Sequence, residues 1–132
     1  MGMIATAVSS LCAEPPSLLV CVNQSASMHE ALTHAPTFAV NILHASELDT
    51  AHLFVDVARK HLRFEDLRWV IAADAPPVLS TAQAVLLCDL AGAPVFGTHS
   101  ICVGVVRDAR SRADIDPLIY LDGKFATAPS PS

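Results

Sequence analysis

The chain's longest unbroken apolar run in its first half is Leu18-Leu19-Val20-Cys21-Val22. It is entered through Pro15-Pro16 and left through Asn23-Gln24-Ser25-Ala26-Ser27. A short continuous run of this kind predicts a strand buried on both faces. Prolines, which donate nothing to a central ladder, belong at its start. Ser27 is expected to N-cap the helix that follows, with Glu30 three residues on completing a capping box, and Pro36 to end it. A strand that feeds a Ser-rich turn opening a helix presents outward N–H groups at a positive dipole end, a ready place for phosphate. A capped helix with no ligand is the equal alternative.

Elsewhere the pattern is mostly of period two. Residues Ile4 to Leu11 read as a first strand and Cys12 to Pro16 as a turn. Thr37 to Leu43 alternates with Phe38, Val40 and Ile42 on one face, a half-buried strand. Ser46 is the next candidate N-cap. Leu48, Ala51, Val55 and Ala58 recur at helical spacing, predicting a helix from Glu47 to Lys60. Its basic end, Arg59, Lys60, His61 and Arg63, reads first as compensation of the helix dipole. Leu67 to Ala72 is a short strand, Asp74 to Pro77 a turn and Ala82 to Leu90 a strand. A long strand from Phe96 to Arg107 puts His99, Ile101, Val103 and Val105 on one face. Asp108 to Asp116 reads as a polar loop, and Leu118 to Leu121 as a last strand turning at Asp122-Gly123. About six strands and two helices, joined by short turns, favour an antiparallel sheet or small barrel.

Composition narrows the classes. A chain of 132 residues, 52% of them apolar, is one domain with a sizeable core. It spans 1–125 by this reading, and the Pro- and Ser-rich residues 126–132 are expected to be disordered. A net charge of −5 and a pI near 5.5 argue against nucleic acid and anionic membranes as partners. No apolar run approaches the ~20 residues of a membrane span. Cys12, Cys21, Cys88 and Cys102 lie far apart in apolar segments and read as reduced thiols, pointing to the cytoplasm. His29-Glu30 with His34 has the wrong spacing for a zinc helix, the histidines falling roughly 140° apart at ~100° per residue. No metal site is expected. GxGxxG, Walker A and GxSxG motifs are all absent.

Seven segments nevertheless occur in a telling order. They are GMIATAVSSL, EPPSLLVCVNQSAS, TFAVNIL, the Arg63-Phe64 pair, PVL at Pro77 to Leu79, GTHSICVGVV from Gly97 to Val106, and PLIY from Pro117 to Tyr120. In this order the chain resembles the small NAD(P)H-dependent flavin reductases, the reductase components of two-component aromatic monooxygenases. The resemblance runs from Gly2 to Phe125. It implies a mainly β fold, an antiparallel Greek-key split barrel of the FMN-binding type. The implied activity is hydride transfer from NADH or NADPH to FMN, or to FAD, with reduced flavin handed to a separate monooxygenase by a homodimer. A non-catalytic FMN-binding electron carrier of the same fold is an alternative, as is a truncated homologue with an impaired flavin site.

The resemblance also implies roles. Ala5, Thr6, Ala7 and Val8 are expected along the flavin ring and ribityl chain. Asn23, Ser25, Ala26 and Ser27 are expected at the phosphate, and Asn41 near the ring edge. His99 and Tyr120 are expected beside the nicotinamide, with His99 the one ionisable residue assigned to catalysis. His34, His44, His52 and His61 read as surface or helix residues. Two departures stand out: Ile4 replaces a usual Thr, and the family's N-terminal helix and first strand have no counterpart ahead of Gly2. The second implies an open or partner-closed barrel with weakened flavin binding.

Overall fold

The computed structural model describes residues 1–129. In chain order the elements are β1 (Val8–Ala13), β2 (Pro16–Asn23), α1 (His29–His34), β3 (Thr37–Ile42), a 3₁₀ turn (Ala45–Glu47), α2 (Leu48–Val55), a second 3₁₀ stretch (Val57–Leu62), β4 (Trp69–Ala72), β5 (Ala75–Leu79), β6 (Ala84–Gly92), β7 (Val95–Phe96), β8 (His99–Ser111), β9 (Leu118–Leu121) and β10 (Lys124–Thr127). The main sheet is antiparallel, in the order β1-β2-β8-β6-β3, with β7 added to β8. This is the mainly β, antiparallel split-barrel class implied by the sequence. Two ribbons, β4–β5 and β9–β10, stand apart from the main sheet.

β8 is the spine. Its residues 99–105 pair with β2, and its residues 103–111, interrupted at register shifts, pair with β6. The strand was expected to run from Phe96 to Arg107. Instead Gly97 takes φ +58° and turns β7 into β8, and the strand continues through Asp108 to Ser111. Its polar end stays in the ladder because backbone pairing with Ala84 to Leu87 makes no demand on side-chain polarity. His99, Ile101, Val103 and Val105 share a face as expected; it is the less buried one, with His99 exposed, while Ser100, Cys102 and Gly104 point inward. Leu18, Val20 and Val22 of β2, Leu32 of α1, Phe38 of β3, Cys88 and Cys102 form the main core. Each large side chain buried here stabilises the fold by roughly 1.5–3 kcal/mol.

Both helices begin differently from the expectation. Ser27 does not cap α1. Met28 occupies the N-cap with no side-chain bond, and the capping box with Glu30 does not form. The cause is Asn23, whose Oδ1 accepts from both the Ser25 amide (2.9 Å) and the Ser25 hydroxyl (2.8 Å). This side-chain-closed turn holds Ser25 to Ser27 outside the helix. Ser46 does not cap α2 either: His44 Nδ1 accepts from the Ser46 amide and opens a 3₁₀ turn ahead of the helix. α2 stops at Val55, short of Lys60, because the Asp56 carboxylate accepts from the Ala58 amide and starts a new turn.

Ala75 to Pro77, expected as turn, belong to β5. Pro76 and Pro77 fall where the β4–β5 register shifts, so their missing N–H groups cost the ladder nothing. β9 has the expected bounds. Asp122 (φ +50°) and Gly123 (φ +76°) then form a tight turn into β10. The domain therefore continues past Phe125: Ala126 pairs with Ile119 and Thr127 with Leu118. Residues 130–132 of the expected disordered tail lie outside the described residues. The first strand starts at Val8, leaving residues 1–7 as an irregular strap.

Candidate active site

A cleft of about 1400 Å³ opens between the strap, α1, α2 and the β9–β10 ribbon, with β3 as its floor. Ligand pockets commonly run to roughly 300–1,000 Å³, so the space is ample for a ligand of cofactor size. The floor presents Thr37 to Leu43, and one end is closed by Met28, the N-cap, with Ala31 and Leu32 of α1. The other end is built from Thr50, His52 and Phe54 of α2 with Tyr120, Lys124 and Phe125 of the ribbon. The lining is mainly apolar. The chain carries 13 Asp and Glu, yet no carboxylate lines the cleft among the described residues, and Lys124 is its one charged side chain. Such a lining admits a large aromatic ligand and places no carboxylate against an anionic one.

Of the residues singled out from sequence, Ala5, Thr6, Val8, Asn41 and Tyr120 line this cleft. Ala7 sits between them, its carbonyl accepting from Cys21 N at 3.0 Å. The Asn41 side chain is already engaged: Oδ1 accepts from Leu79 N at 2.9 Å, and Nδ2 donates to Pro77 O at 3.2 Å. It ties β3 to β5 while its flank faces the cleft. Asn23, Ser25, Ala26 and Ser27 lie beyond the lining, on the turn that runs directly into Met28. There Asn23 consumes the Ser25 donors and the Asn23 carbonyl takes the Ala26 amide at 2.9 Å. The hydroxyl and amide of Ser27 have no partner among the described residues and are exposed. A phosphate held at this turn would therefore be met by Ser27, not by Ser25.

His99 and Tyr120 are not brought together. His99 is the registered partner of Asn23, is exposed, and faces Thr98 Oγ1 through Nδ1 at 2.8 Å. Tyr120 stands in the cleft, its ring 5.3 Å from that of Phe125. The structure instead sets His52 and Lys124 in the same cleft lining as Tyr120. His52 meets Phe125 edge-on at 5.4 Å, so the ribbon is braced against α2 by aromatic contact. Nothing local in the sequence pointed to either residue; their proximity depends on the ribbon folding back over α2. His29, set aside as a metal ligand, faces Ser100 Oγ through Nε2 at 2.7 Å, pinning α1 to β8.

At the α2 end of the cleft, Phe54, Phe64 and Trp69 all belong to its lining and form an aromatic cluster with centroids 4.9–5.7 Å apart. Arg63, 8% exposed, lies over the Phe54 ring at 5.3 Å, and its Nη1 donates to Gly2 O at 3.2 Å. Nearby, Glu47 is buried and paired with Arg68 at 2.8 Å, and it also accepts from Thr50 (2.7 Å) and Thr81. Asp66, first, and then Asp49 and Glu47 hold the Arg68 guanidinium well above its ordinary pKa.

Comparison with known proteins places this cleft in context. Residues 1–129 match the flavin reductase like domain. The chain is 35% identical over 129 residues to the FMN reductase (NADH) RutF of Pseudomonas syringae pv. syringae (strain B728a), covering 98% of this chain and 72% of that protein. It is 34% identical over 127 residues to the reductase component of the FADH(2)-dependent resorcinol hydroxylase of Rhizobium sp. (strain MTP-10005), covering 96% and 71%. Among solved structures, BorF, the flavin reductase component of a bacterial two-component tryptophan halogenase, superposes with a TM-score of 0.86 at 32% identity, covering 98% of this chain and 82% of that one. The NADH:FAD oxidoreductase SgcE6 of Streptomyces globisporus, in complex with NAD and FAD fragments, gives 0.85 at 31% identity, covering 94% and 74%. A match along almost the whole chain, in sequence and in fold, settles the family: this protein belongs to the flavin reductase like domain proteins.

Proposed function

We propose that this chain is an NADH-dependent flavin reductase that supplies reduced FMN, or FAD, to a separate monooxygenase. The observation that carries this reading is the cleft: large, mainly apolar, free of carboxylates among the described residues, and ending beside a turn with spare donors. It occurs in a chain similar over nearly its full length to named NADH-dependent flavin reductases. The residues fit a flavin. Apolar walls suit a planar ring, and the Ser27 hydroxyl and amide suit a phosphate. When bound, the flavin supplies a ring that accepts hydride from the nicotinamide. The chain itself would hold the ring between the strap at Ala5, Thr6 and Val8 and the β3 floor, and keep water from the reacting faces. Such positioning is the protein's share of a reaction whose chemistry resides in the cofactors.

His99 is assigned to the nicotinamide side. Because it lies outside the lining of its own chain's cleft, the assignment joins naturally to a homodimer, in which a second copy brings the two surfaces together. Exposed apolar side chains are plentiful for such pairing: Leu67 is 99% exposed and Phe96 81%. The cytoplasm, where NADH is held and four free cysteines would stay reduced, is the proposed compartment.

The deciding experiment is steady-state oxidation of NADH and NADPH with FMN, FAD and riboflavin in turn, with stopped-flow bleaching of bound flavin. Flavin that binds but is bleached by neither nucleotide would make the protein a carrier and overturn the reading. Ser27→Glu is expected to weaken FMN far more than riboflavin, which has no phosphate. His99→Ala is expected to raise the KM for NADH and leave flavin affinity intact. Light scattering is expected to give a dimer mass.

A further inference from the structure

Residues 1–7 belong to no sheet or helix, and the first six of them form one wall of the cleft. Two hydrogen bonds tie them to the rest of the described chain. Cys21 N donates to Ala7 O at one end, and Arg63 Nη1 donates to Gly2 O at the other. The second contact is a built one. Arg63 is more than nine-tenths buried, although arginine rarely is. Its guanidinium lies over Phe54, and its Nε meets no acceptor among the described residues. Burial that leaves one donor unmet is costly, so the contacts it does make must hold it there. Gly2 is matched to the same place. A Cβ at this position would stand 2.8 Å from Phe64 Cζ and 3.0 Å from Phe54 Cε2, so the strap passes the two rings only because residue 2 has no side chain.

We infer that Arg63, with Gly2 and the Phe54–Phe64 pair, is a clasp that holds the strap in the position of cleft wall, making Arg63 a positioning residue for flavin. This inference rests on the flavin reading of the cleft. Arg63 is not itself part of the cleft lining. It acts through Gly2, and through Gly2 on the course of Met3 to Thr6. The clasp stands at the Phe54 end of the cleft, whereas the Ser27 turn adjoins the α1 end. Its release therefore weakens the grip on the ring and ribityl chain and leaves the phosphate contact alone. The signature is an equal loss of affinity for FMN and riboflavin. This separates the clasp from the Ser27 turn, where the losses differ.

The test uses the full chain with Arg63→Met, Gly2→Ala and the double variant. Fluorescence titration is expected to show a loss of about tenfold in affinity, or about 1.4 kcal/mol, for FMN and riboflavin alike. Hydrogen exchange of the strap amides should rise in each variant while the amides of β2 and β8 stay protected. The double variant should be no worse than the worse single one, since both open the same clasp. Should Arg63→Met fail to fold, Gly2→Ala, which leaves the Arg63 side chain in place, carries the test by itself. Unchanged flavin affinity in folded variants, or additive losses in the double variant, would overturn the clasp. Wild-type protein that binds flavin but oxidises no NADH would sink the reductase reading and leave the clasp standing, because binding and exchange need no turnover.

Discussion

Gly104→Ala tests how tightly β8 is packed beneath the cleft floor. A Cβ at this position would lie 2.5 Å from Phe38 Cζ, 3.1 Å from Phe38 Cε1 and 2.9 Å from Cys88 Cβ. Carbon atoms prefer about 3.5–4.0 Å, so the added methyl is about 1 Å too close to two neighbours. Both are buried and on different strands, and neither is the free end of a flexible chain. Overpacking of this kind costs about 1–3 kcal/mol. Reduced freedom of the unfolded chain returns about 0.4–1 kcal/mol. The expected net loss is about 1.3 kcal/mol. With about 2.1 cal/mol/K of unfolding entropy per residue over 132 residues, that lowers the melting midpoint by roughly 5 °C. Phe38→Leu removes the ring atoms that the new methyl would strike. The double variant should therefore be less destabilised than the sum of the single ones, by about 1 kcal/mol, within the usual range of coupling between touching residues. Urea unfolding of all four proteins measures this. A Gly104→Ala protein within about 0.5 kcal/mol of wild type, or strict additivity with Phe38→Leu, would refute the packing argument.

Three further outcomes are expected. Asn41→Ala strands the buried Leu79 amide and frees β5 from β3; urea unfolding should show a loss of about 1–3 kcal/mol, and an unchanged midpoint would mean that the bond is replaced by water. Burial pushes the Cys88 thiol up to about 11 and raises that of Cys102 as well, so iodoacetamide at pH 8 should label the exposed Cys12 first and these two only on unfolding; peptide mass spectrometry reads the order. Hydrogen bonds from Arg59, Arg68 and Arg112 depress the carboxyls of Asp56, Asp66 and Asp114 below the usual 3.8. Groups so depressed favour the folded state above their unfolded values and cease to do so as pH falls through their folded ones, so the melting midpoint should decline below about pH 4, less steeply in Asp66→Asn.

How much was legible in the sequence followed the range of the interaction. β3 was readable because Thr37 to Ile42 alternates between neighbouring residues, and β9 because Leu118 to Leu121 is a short apolar run that ends at the turn-forming Asp122-Gly123. β10 was not, since Lys124 to Thr127 has no pattern of its own and becomes a strand only by pairing back onto β9. The helix starts failed for a related reason. The Ser27–Glu30 spacing suits a capping box, but Asn23, four residues upstream, closes the turn first. In the site, motif order placed Ala5, Thr6, Val8, Asn41 and Tyr120 on one cleft. It could not show that His99 would pair with Asn23, that His52 would meet Phe125, or that Glu47 would be buried against Arg68, 21 positions away. Those pairings depend on strand register and on the fold-back of a ribbon, which no local spacing encodes.

The uneven distribution of charge has a kinetic consequence. Thirteen acidic groups lie outside a cleft whose single charged side chain, among the described residues, is a lysine. A doubly negative ligand approaching from solution climbs a repulsive field before it reaches neutral walls, and on leaving it descends the same field. Binding and discharge are thus skewed toward discharge at low ionic strength. Salt, by shortening the reach of that field to about 10 Å at 0.1 M, lifts the rate of capture. A molecule that takes up a ligand only to hand it on in altered form gains from such a surface: it sheds its product into the surrounding water instead of storing it, and the ionic strength of its surroundings sets how quickly it reloads.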